Sequence, residues 1–264
     1  MAVAERSKFI YKTTDDAANT HMRASKFPLD CHMKLSVIIP VYNEKGTIGV
    51  LLERIGQVRI PGEKEIIIVD DGSTDGTRQV LQGLPSRHTI ICFHEVNQGK
   101  GAAVRTGLEM ASGDIVLIQD GDLEYDPLEY PKLIQPIIDK KTRVVYGSRI
   151  LGENRASYFR YYWGGRFLSL LANCLYGIRV TDEPTGYKVF DAVLLKSLEL
   201  KCKGFEFCPE VTAKVSRLGQ SITEVPISYT PRSIDEGKKI RWIDGVIAIW
   251  TLLKYRMWKP SSEQ

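Results

Sequence analysis

Residues 115–124 have the sequence IVLIQDGDLE, an apolar run that ends in three acids separated by a glycine and a leucine. A continuous apolar run of this length is typical of a strand that is buried on both faces of a sheet. Asp120, Asp122 and Glu124 then follow the carboxyl end of that strand, where open α/β sheets bind ligands. Carboxylate oxygens suit a hard divalent cation, Mg²⁺ or Mn²⁺. An Asp-x-Asp pattern often arises by chance, so its position after a buried strand is what favours a metal site.

The same apolar pattern recurs on both sides of this segment. Runs predicted to be strands lie at 35–40, 66–69, 89–93 and 144–146. Helix-like stretches lie between them at about 47–58, 74–84, 102–111 and 128–139. This alternation predicts an α/β domain with a mainly parallel sheet and helices on both faces. Later elements are a helix at about 158–176, a short strand near 222–227 and a final helix at about 242–258.

Composition narrows the class of protein. The chain has 264 residues, of which 43% are hydrophobic and 26% charged, which argues against disorder and against a fibrous repeat. Its five cysteines form no C-x-x-C pair, so we expect neither a disulfide framework nor a zinc site. A net charge of +4 is too small to indicate a nucleic-acid partner. No apolar run approaches the roughly 18 residues of a membrane span. We therefore expect a cytoplasmic protein, or one on the cytoplasmic face of a membrane.

The ends of the chain differ from its middle. Residues 1–33 are polar and aperiodic and lack the large apolar groups of a packed unit, so we predict a flexible tail. Met33 precedes the first strand and is a candidate for the true start. The catalytic domain is predicted over 34–240, and residues 241–264 are predicted to form an amphipathic helix and a short tail.

Two further loops are candidates for ligand binding. Asp70 and Asp71 follow the second strand, and adjacent carboxylates repel each other, so a purely structural turn does not explain both. Ser73 or Asp75 in the same loop is expected to cap the next helix. Residues 97–101, NQGKG, open the third helix, where backbone amides and Lys100 would meet a phosphate. The alternative is a glycine-rich turn with a solvated lysine.

An ordered series of motifs resembles a known family. The series is Pro40-Val41-Tyr42-Asn43-Glu44, Val69-Asp70-Asp71-Gly72-Ser73, Asn97-Gln98-Gly99-Lys100-Gly101, Asp120-Gly121-Asp122, Gly147-Ser148-Arg149, Asp182-Glu183-Pro184-Thr185-Gly186-Tyr187-Lys188 and Pro231-Arg232 with Glu236-Gly237-Lys238-Lys239. Each motif alone is weak, but their order from Leu35 to about Lys239 is specific. The chain resembles family-2 glycosyltransferases with the Rossmann-like GT-A fold, and within them the dolichyl- and polyprenyl-phosphate hexosyltransferases.

The resemblance implies roles for particular side chains. The nucleotide base and ribose would lie against Pro40, Tyr42, Glu44 and Asp71, with Asp70 nearby. A metal that bridges the donor diphosphate would lie among Asp120, Asp122 and Glu124. The family often has Gln in place of Glu124, which makes that ligand less secure than the two aspartates. Donor or acceptor phosphates would meet Arg149, Arg232 and Lys238.

Arg232 and Lys238 also have an argument from the residues themselves. A basic pair on a mobile loop rich in Glu and Gly can close over a phosphate and stabilise its charge. The alternative for each is a solvated surface charge. We therefore predict that Asp122, Arg232 and Lys238 carry catalysis and that Lys100 contributes to donor binding.

The acceptor decides what else the enzyme needs. The resemblance implies a single in-line displacement with inversion at the sugar carbon. A lipid phosphate has a second pKa of about 6 and is already an anion at neutral pH. A sugar hydroxyl needs a carboxylate base, for which Asp182, Glu206 and Glu210 are candidates. The last two are four residues apart, and a solvated acidic helix face is the alternative interpretation.

The carboxyl-terminal helix favours a lipid acceptor. Its apolar residues recur at helical spacing, and its flanks are basic and contain Trp242 and Trp258. A helix that lies in a membrane interface has this composition. The apolar set is Ile243, Val246, Ile247, Trp250 and Leu253. The alternative is that this stripe packs on the sheet. A second aromatic and basic candidate surface spans 155–167.

Four functions remain open on the sequence alone. The first is transfer of a hexose from a UDP- or GDP-linked sugar to a polyprenyl phosphate, with peripheral membrane contact. The second is a soluble family-2 enzyme that acts on a saccharide or small-molecule hydroxyl. A third is a nucleotide-binding module without activity, for which intact Asp120, Asp122 and Arg232 are unexpected. Nucleotidyltransferases, the fourth, also use such sheets with acid-held metals.

Overall fold

The computed structural model describes residues 33–84, 89–154, 159–232, 239 and 241–260, with the side chains of 159–161 excepted. The predicted tail over 1–32, Lys238 and part of the aromatic segment at 155–161 therefore lie outside the described residues. Met33, which the sequence assigns to the end of the tail, is buried in the core next to the first strand.

Within the described residues, seven strands form one mixed sheet in the order β3-β2-β1-β4-β6-β5-β7. Their bounds are β1 Lys34–Val41, β2 Glu63–Asp70, β3 Thr89–Phe93, β4 Ile115–Ile118, β5 Val144–Ser148, β6 Lys188–Asp191 and β7 Thr223–Pro226. β6 runs antiparallel to both of its neighbours, and the other pairs are parallel. The prediction of a mainly parallel α/β sheet is confirmed.

The part of the chain that the structure describes has eight α-helices around the sheet. Their bounds are α1 Ile48–Gln57, α2 Thr77–Gln82, α3 Lys100–Met110, α4 Tyr130–Ile138, α5 Phe159–Tyr176, α6 Ala192–Ser197, α7 Phe207–Arg217 and α8 Trp242–Lys254, with 3-10 turns at Pro127–Glu129 and Tyr255–Met257. None of the helices described is both long and apolar enough to cross a bilayer.

The alternation of side chains along β1 explains why both faces of the sheet are covered. Val37 and Ile39 point to one face, where they pack with residues of α1 and α4. Ile38 points to the other face, where it packs with residues of α3 and α7. Successive residues of a strand face opposite sides, so an uninterrupted apolar run needs a helical layer on each side. The predicted helices on both faces are confirmed.

The central antiparallel strand β6 was missed at the sequence level. It has only four residues, and it begins with Lys188, the last residue of one of the quoted motifs, where no strand was predicted. Lys188 is fully buried, with its Nζ 3.3 Å from the centroid of the Tyr146 ring and donating to the carbonyl of Glu183 at 2.7 Å. A lysine that is held in this way by tertiary partners carries no strand signal.

A buried carboxylate ties the amino end of β1 to its neighbours. Glu65 Oε1 accepts hydrogen bonds from Ser36 Oγ at 2.5 Å and the Ser112 amide at 2.8 Å. Its Oε2 accepts from Ser112 Oγ at 2.9 Å and pairs with Lys34 Nζ at 2.6 Å. Burial alone would raise its pKa, but the bonds from Lys34, Ser36 and Ser112 lower the pKa of Glu65 to about 2.

We expect Glu65→Ala to lower the free energy of unfolding by about 2 kcal/mol at neutral pH, because it leaves buried donors without a partner. A depressed folded-state pKa stabilises the fold above the unfolded-state pKa of 4.5. That stability is lost as the pH falls toward 2, so the gap between wild type and variant should narrow over this range. Urea unfolding at several pH values measures it. The exposed Glu63 of the same strand provides the control, and an equal effect of Glu63→Ala would contradict the assignment.

Candidate active site

The candidate site lies at the carboxyl ends of three adjacent strands. β1 pairs with β2 on one side and with β4 on the other, in registers that bring Val41 beside Asp70 and Ile38 beside Ile118. The loops that follow β1, β2 and β4 therefore meet at one edge of the sheet, as expected for an open α/β fold. Pro40 is the penultimate residue of β1, and Tyr42 follows its end.

Arg232 lies among the acids of these loops. Its Nη1 donates to Glu44 Oε2 at 3.1 Å, and its Nη2 donates to Glu44 Oε1 at 3.1 Å and to Asp122 Oδ2 at 2.9 Å. Burial opposes its charge, but Asp122 and Glu44 raise the pKa of Arg232. Its Nε is buried without a described partner. A guanidinium that bridges two carboxylates supplies the positive charge that these acids need in a partly buried place.

Lys239 adds a second cation to the same acid. Its Nζ contacts Glu44 Oε1 at 2.7 Å and donates to the carbonyl of Tyr42. The ammonium also lies 5.7 Å from the centroid of the Tyr42 ring. Glu44 is 6% exposed, and its Oε2 also accepts from Thr47 Oγ1 at 2.6 Å. Glu44 therefore anchors the segment after β7 to the first loop, a role that the sequence did not reveal.

Lys100 forms an ion pair with Asp120. Burial opposes the charge on this lysine, but the Asp120 carboxylate raises the pKa of Lys100. The backbone amides at the start of α3 are occupied, since Gly101 N donates to the Gly204 carbonyl at 3.1 Å and Ala102 N to the Lys203 carbonyl at 2.9 Å. In this conformation these two amides are not free to meet a phosphate, and the phosphate contact predicted for the amides of 97–101 stays a prediction. The Lys100 side chain is neither solvated nor far from the acids, so its phosphate role remains a prediction.

The acids of the β4 loop are crowded. Burial, followed by the charges of Asp120 and Glu124, raises the pKa of Asp122 to about 7, although Arg232 opposes that rise. Like charges this close are stable only with positive charge between them. Lys100 and Arg232 supply that charge at Asp120 and Asp122. A divalent cation would supply it as well.

The predicted metal site is therefore not preformed. Among the described residues no three His, Cys, Asp or Glu side chains converge as a metal site would require. Asp120 and Asp122 still offer the oxygen donors that Mg²⁺ and Mn²⁺ prefer, provided that the paired cations move. Glu124 has other partners: it accepts from Tyr229 Oη at 3.0 Å and from the Arg232 amide at 2.8 Å. In this conformation Glu124 holds the Arg232 backbone, which fits a supporting role better than that of a ligand.

Asp71 organises the loop that precedes α3. Its carboxylate accepts from the Gln98 amide at 2.9 Å and the Gly99 amide at 2.7 Å, and it lies 2.8 Å from His94 Nδ1. Gly99 has a φ of 98°, a region that glycine tolerates and other residues avoid. The structure therefore shows a structural use for Asp71, and its contact with a base or ribose remains a prediction.

Asp70 is fully buried at the end of β2. Its Oδ2 pairs with Arg78 Nε at 3.2 Å, while its Oδ1 has no described partner. In the same loop Asp75 Oδ1 accepts at 2.9 Å from the amide of Thr77, which is the first residue of α2, whereas the N-cap position itself is Gly76. Ser73 does not cap α2, because its Oγ accepts from the Asn43 amide at 2.8 Å and joins the first two loops instead.

Arg149 is bound by an acid rather than exposed. Its Nε and Nη2 donate to the two oxygens of Asp182 at 2.8 and 2.7 Å. Burial would raise the pKa of Asp182, but the guanidinium lowers it. The Arg149 guanidinium also lies 5.1 Å from the centroid of the Tyr229 ring. Asp182, a sequence candidate for a base, is therefore engaged, and contact between Arg149 and a phosphate remains a prediction that requires this pair to open.

Glu206 and Glu210 are structural. Glu210 accepts from the Lys201 and Cys202 amides at 2.9 and 2.6 Å and pairs with Lys214 at 2.7 Å in the core. Glu206 accepts from the Lys203 and Gly204 amides at 2.8 and 3.0 Å. Neither the catalytic base nor the solvated acidic face is correct for Glu210, because it is fully buried.

Gly186 is a further residue that the site requires. A Cβ atom added to it would collide with Asp120 Oδ2. The absence of a side chain at Gly186 therefore lets the Asp120 carboxylate lie where it does. The glycine stood in one of the quoted motifs, but only the folded structure shows which side chain it admits.

The carboxyl-terminal helix exposes the stripe that the sequence singled out. Its five apolar residues are each between 39% and 66% exposed. The buried side of α8 is formed instead by Ala248, Thr251 and Leu252, and the helix packs against α5 and α7. The alternative that the stripe packs on the sheet is therefore wrong. The neighbouring α5 exposes a similar stripe. We call the exposed apolar residues of α5, of α8 and of the 3-10 turn after it the apolar helix surface, formed by Trp163, Phe167, Leu170, Trp242, Ile243, Val246, Ile247, Trp250, Leu253 and Met257.

Comparisons with known proteins agree with this fold. The family model described as glycosyl transferase family 2 matches residues 36–198. A UDP-N-acetylglucosamine–dolichyl-phosphate N-acetylglucosaminyltransferase of Methanococcus voltae is 33% identical, over 84% of this chain and 96% of its own length. An undecaprenyl-phosphate mannosyltransferase of Micrococcus luteus is 29% identical, over 85% of this chain and 99% of its own.

A solved structure shares the architecture. Glucosyl-3-phosphoglycerate synthase from Mycobacterium tuberculosis, in complex with UDP, superposes with a TM-score of 0.67. It is 24% identical, and the match covers 88% of this chain and 83% of that one. At this identity the likeness shows the fold alone, and that fold is the predicted GT-A type.

Proposed function

The chain belongs to glycosyl transferase family 2, and on that premise we propose that it transfers a hexose from a UDP- or GDP-linked sugar to a polyprenyl or dolichyl phosphate. The observation that carries the proposal is the cluster of Asp120 and Asp122 with Lys100 and Arg232 at the carboxyl ends of the strands. Alternating charges in one partly buried place suit a ligand that brings both phosphate and metal.

The donor diphosphate would exchange partners with this cluster. Lys100 and Arg232 would turn from the carboxylates to the phosphates, and Asp120 and Asp122 would hold Mg²⁺ or Mn²⁺. Such a cation, when bound, stabilises the departing diphosphate as a Lewis acid. The Mycobacterium tuberculosis synthase has been crystallised with Mn²⁺ and with Mg²⁺ beside UDP. The first two loops, with Pro40, Tyr42 and Asp71, would lie against the base and ribose.

The transfer itself is one displacement. An acceptor oxygen forms a bond to the sugar carbon while the bond from that carbon to the donor phosphate breaks, and the nucleoside diphosphate leaves. Attack from the opposite side inverts the configuration. Arg232 stabilises the charge that develops on the leaving group, and Lys238 from the same segment is proposed to assist it.

The hydrogen-bond partners of three carboxylates bear on the identity of the acceptor. The three bases that the sequence offered are all engaged: Asp182 by Arg149, and Glu206 and Glu210 by backbone amides. A hydroxyl acceptor needs a base, whereas a phosphate monoester attacks as an anion. The names of the Methanococcus voltae and Micrococcus luteus relatives specify lipid-phosphate acceptors, which supports the same choice.

The apolar helix surface would bring the enzyme to its lipid. Trp242 and Trp250 are 82% and 66% exposed on α8. Arg241, Lys254 and Lys259, on or beside this helix, are exposed as well. Exposed tryptophans with basic neighbours suit the interface of a membrane that contains anionic lipids. Peripheral membrane contact through this surface is therefore part of the proposal.

We expect Trp242→Ser with Trp250→Ser to weaken binding to vesicles that contain phosphatidylglycerol by about 100-fold, because two large apolar side chains leave the bilayer. Wild type should release partly at high salt and should transfer hexose to a short polyprenyl phosphate. Cosedimentation and a labelled-donor assay measure both. Val193→Ser with Leu128→Ser removes exposed apolar groups elsewhere and should change neither.

A second candidate acceptor is a soluble phosphorylated hydroxyl compound. The Mycobacterium tuberculosis structure in complex with phosphoglyceric acid favours it, since that protein shares this fold. No vesicle binding together with efficient transfer to such a compound or to a saccharide would replace the first candidate with the second.

A further inference from the structure

A polar pocket of about 400 Å³ lies where the ends of α5 and α7 meet the 3-10 turn that follows α8. Its lining includes Tyr176, Ser216, Arg217, Arg256 and Met257. None of the residues assigned to the candidate active site lines it. The pocket is therefore a separate feature of the described structure.

Two guanidinium groups face this pocket without a carboxylate. No Asp or Glu is among its described lining residues. Arg217 Nε donates to the Trp258 carbonyl at 3.2 Å, and no partner is described for its other nitrogens or for Arg256. Burial raises the pKa of Tyr176, which also lines the pocket, to about 12, and the charges of Arg256 and Arg217 oppose that rise.

Each of the two arginines lies at a helix end. Arg217 lies in the last turn of α7, where a cation balances the partial negative charge of the helix carboxyl terminus. Arg256 lies in the last turn of the 3-10 helix that follows α8, and both arginines line the same cavity. A pair of guanidiniums from two elements that converge without a counter-ion is suited to an anion, and their planar forks match a phosphate.

The position of the pocket indicates which class of anion it would bind. Met257 lines the pocket, is 82% exposed and also belongs to the apolar helix surface. A ligand whose phosphate lies between the arginines would thus have its apolar part beside Met257. We propose that this pocket binds the phosphate headgroup of an anionic membrane lipid that does not react. The proposal rests on the membrane contact proposed above and deepens it, since it adds headgroup recognition to apolar insertion.

The test uses the full chain and a soluble short-chain lipid, dihexanoyl phosphatidylglycerol, below its micelle concentration. Calorimetry should detect binding to wild type, and Arg217→Gln with Arg256→Gln should weaken it by at least about tenfold. The control pair Lys254→Gln with Lys259→Gln removes the same charge from residues that flank Arg256 but do not line the pocket, and it should bind as wild type does. Equal losses in both pairs would mean a diffuse basic surface and would overturn the proposal.

Further measurements distinguish the possible ligands, and they distinguish a failure of this proposal from a failure of the proposed function. Binding of dihexanoyl phosphatidylcholine or inorganic phosphate as tight as that of the anionic lipid would also overturn the proposal. Arg256→Glu keeps the bond from Arg217 to Trp258, so it tests the pocket even if the double variant does not fold. Hexose transfer to polyprenyl phosphate in detergent should be unchanged in the Arg217 and Arg256 variants. If wild type itself lacks that transfer, the proposed function fails, while calorimetry still decides the pocket.

Discussion

Asp122→Asn is expected to lower hexose transfer by about 1,000-fold or more while the protein stays folded. The variant removes one of the two carboxylates that would hold the metal at the donor diphosphate. Such a metal stabilises the transition state by several kcal/mol. The folded state should lose little, because burial among like charges already raises the pKa of Asp122 to about 7. The melting temperature should therefore stay the same or rise.

Labelled-donor turnover at several Mn²⁺ and Mg²⁺ concentrations measures the loss, and differential scanning calorimetry measures the melting temperature. Asp139→Asn removes a carboxylate from the surface, where it pairs with Lys141, and should leave turnover unchanged. Turnover near that of wild type in Asp122→Asn at limiting metal would contradict the metal assignment. Loss of the folded state would instead mean that Asp122 is chiefly structural.

The parallel part of the sheet could be predicted because its strands carry their own signal. β3 and β4 have the predicted bounds, and β1, β2 and β5 extend the predicted ones by a few residues. An apolar run that is buried on both faces differs from every other short pattern in the chain. β6 could not be found in this way, since its pairing with β4 and β5 and the burial of Lys188 depend on distant partners.

The location of the candidate site could be predicted from the sequence, but the contacts within it could not. The acids of three loops lie at one edge of the sheet because parallel strands end there together. The ion pairs among them follow no local rule: Arg232 and Asp122 are 110 residues apart, and Arg232 and Glu44 are 188 apart. Which acids Arg232 reaches depends on where the residues after β7 place it.

The terminal helix shows the same limit. Helical spacing identified its apolar stripe but left open whether that stripe packs on the sheet. The structure resolves this because small residues such as Ala248 and a fully buried Leu252 form the opposite, packed side. A helix with apolar residues on both sides has no single amphipathic face that the sequence can assign.

Arg232 is expected to have different partners in the free protein and in the donor complex. In the described conformation its guanidinium bridges Glu44 and Asp122 and thereby competes for a carboxylate that the metal would need. In the donor complex the same guanidinium would face the diphosphate. One side chain is therefore expected to weaken metal binding in the free protein and to stabilise the leaving group during transfer. Replacement of Arg232 should therefore strengthen metal binding in the free protein and slow the transfer.

We expect Arg232→Gln to lower kcat/KM by about 100-fold or more, because a charge that stabilises the leaving group is lost. The same variant should bind Mn²⁺ more tightly than wild type without donor, because Asp122 no longer has a competing cation. Arg232→Lys should recover only part of the activity, since an ammonium cannot bridge two carboxylates or a diphosphate with a planar fork. Turnover assays and Mn²⁺ titration by electron paramagnetic resonance measure the two effects. Arg143→Gln, which removes an exposed arginine paired with Asp191, should change neither. Weaker Mn²⁺ binding in Arg232→Gln would show that the arginine organises the acids rather than competing for them.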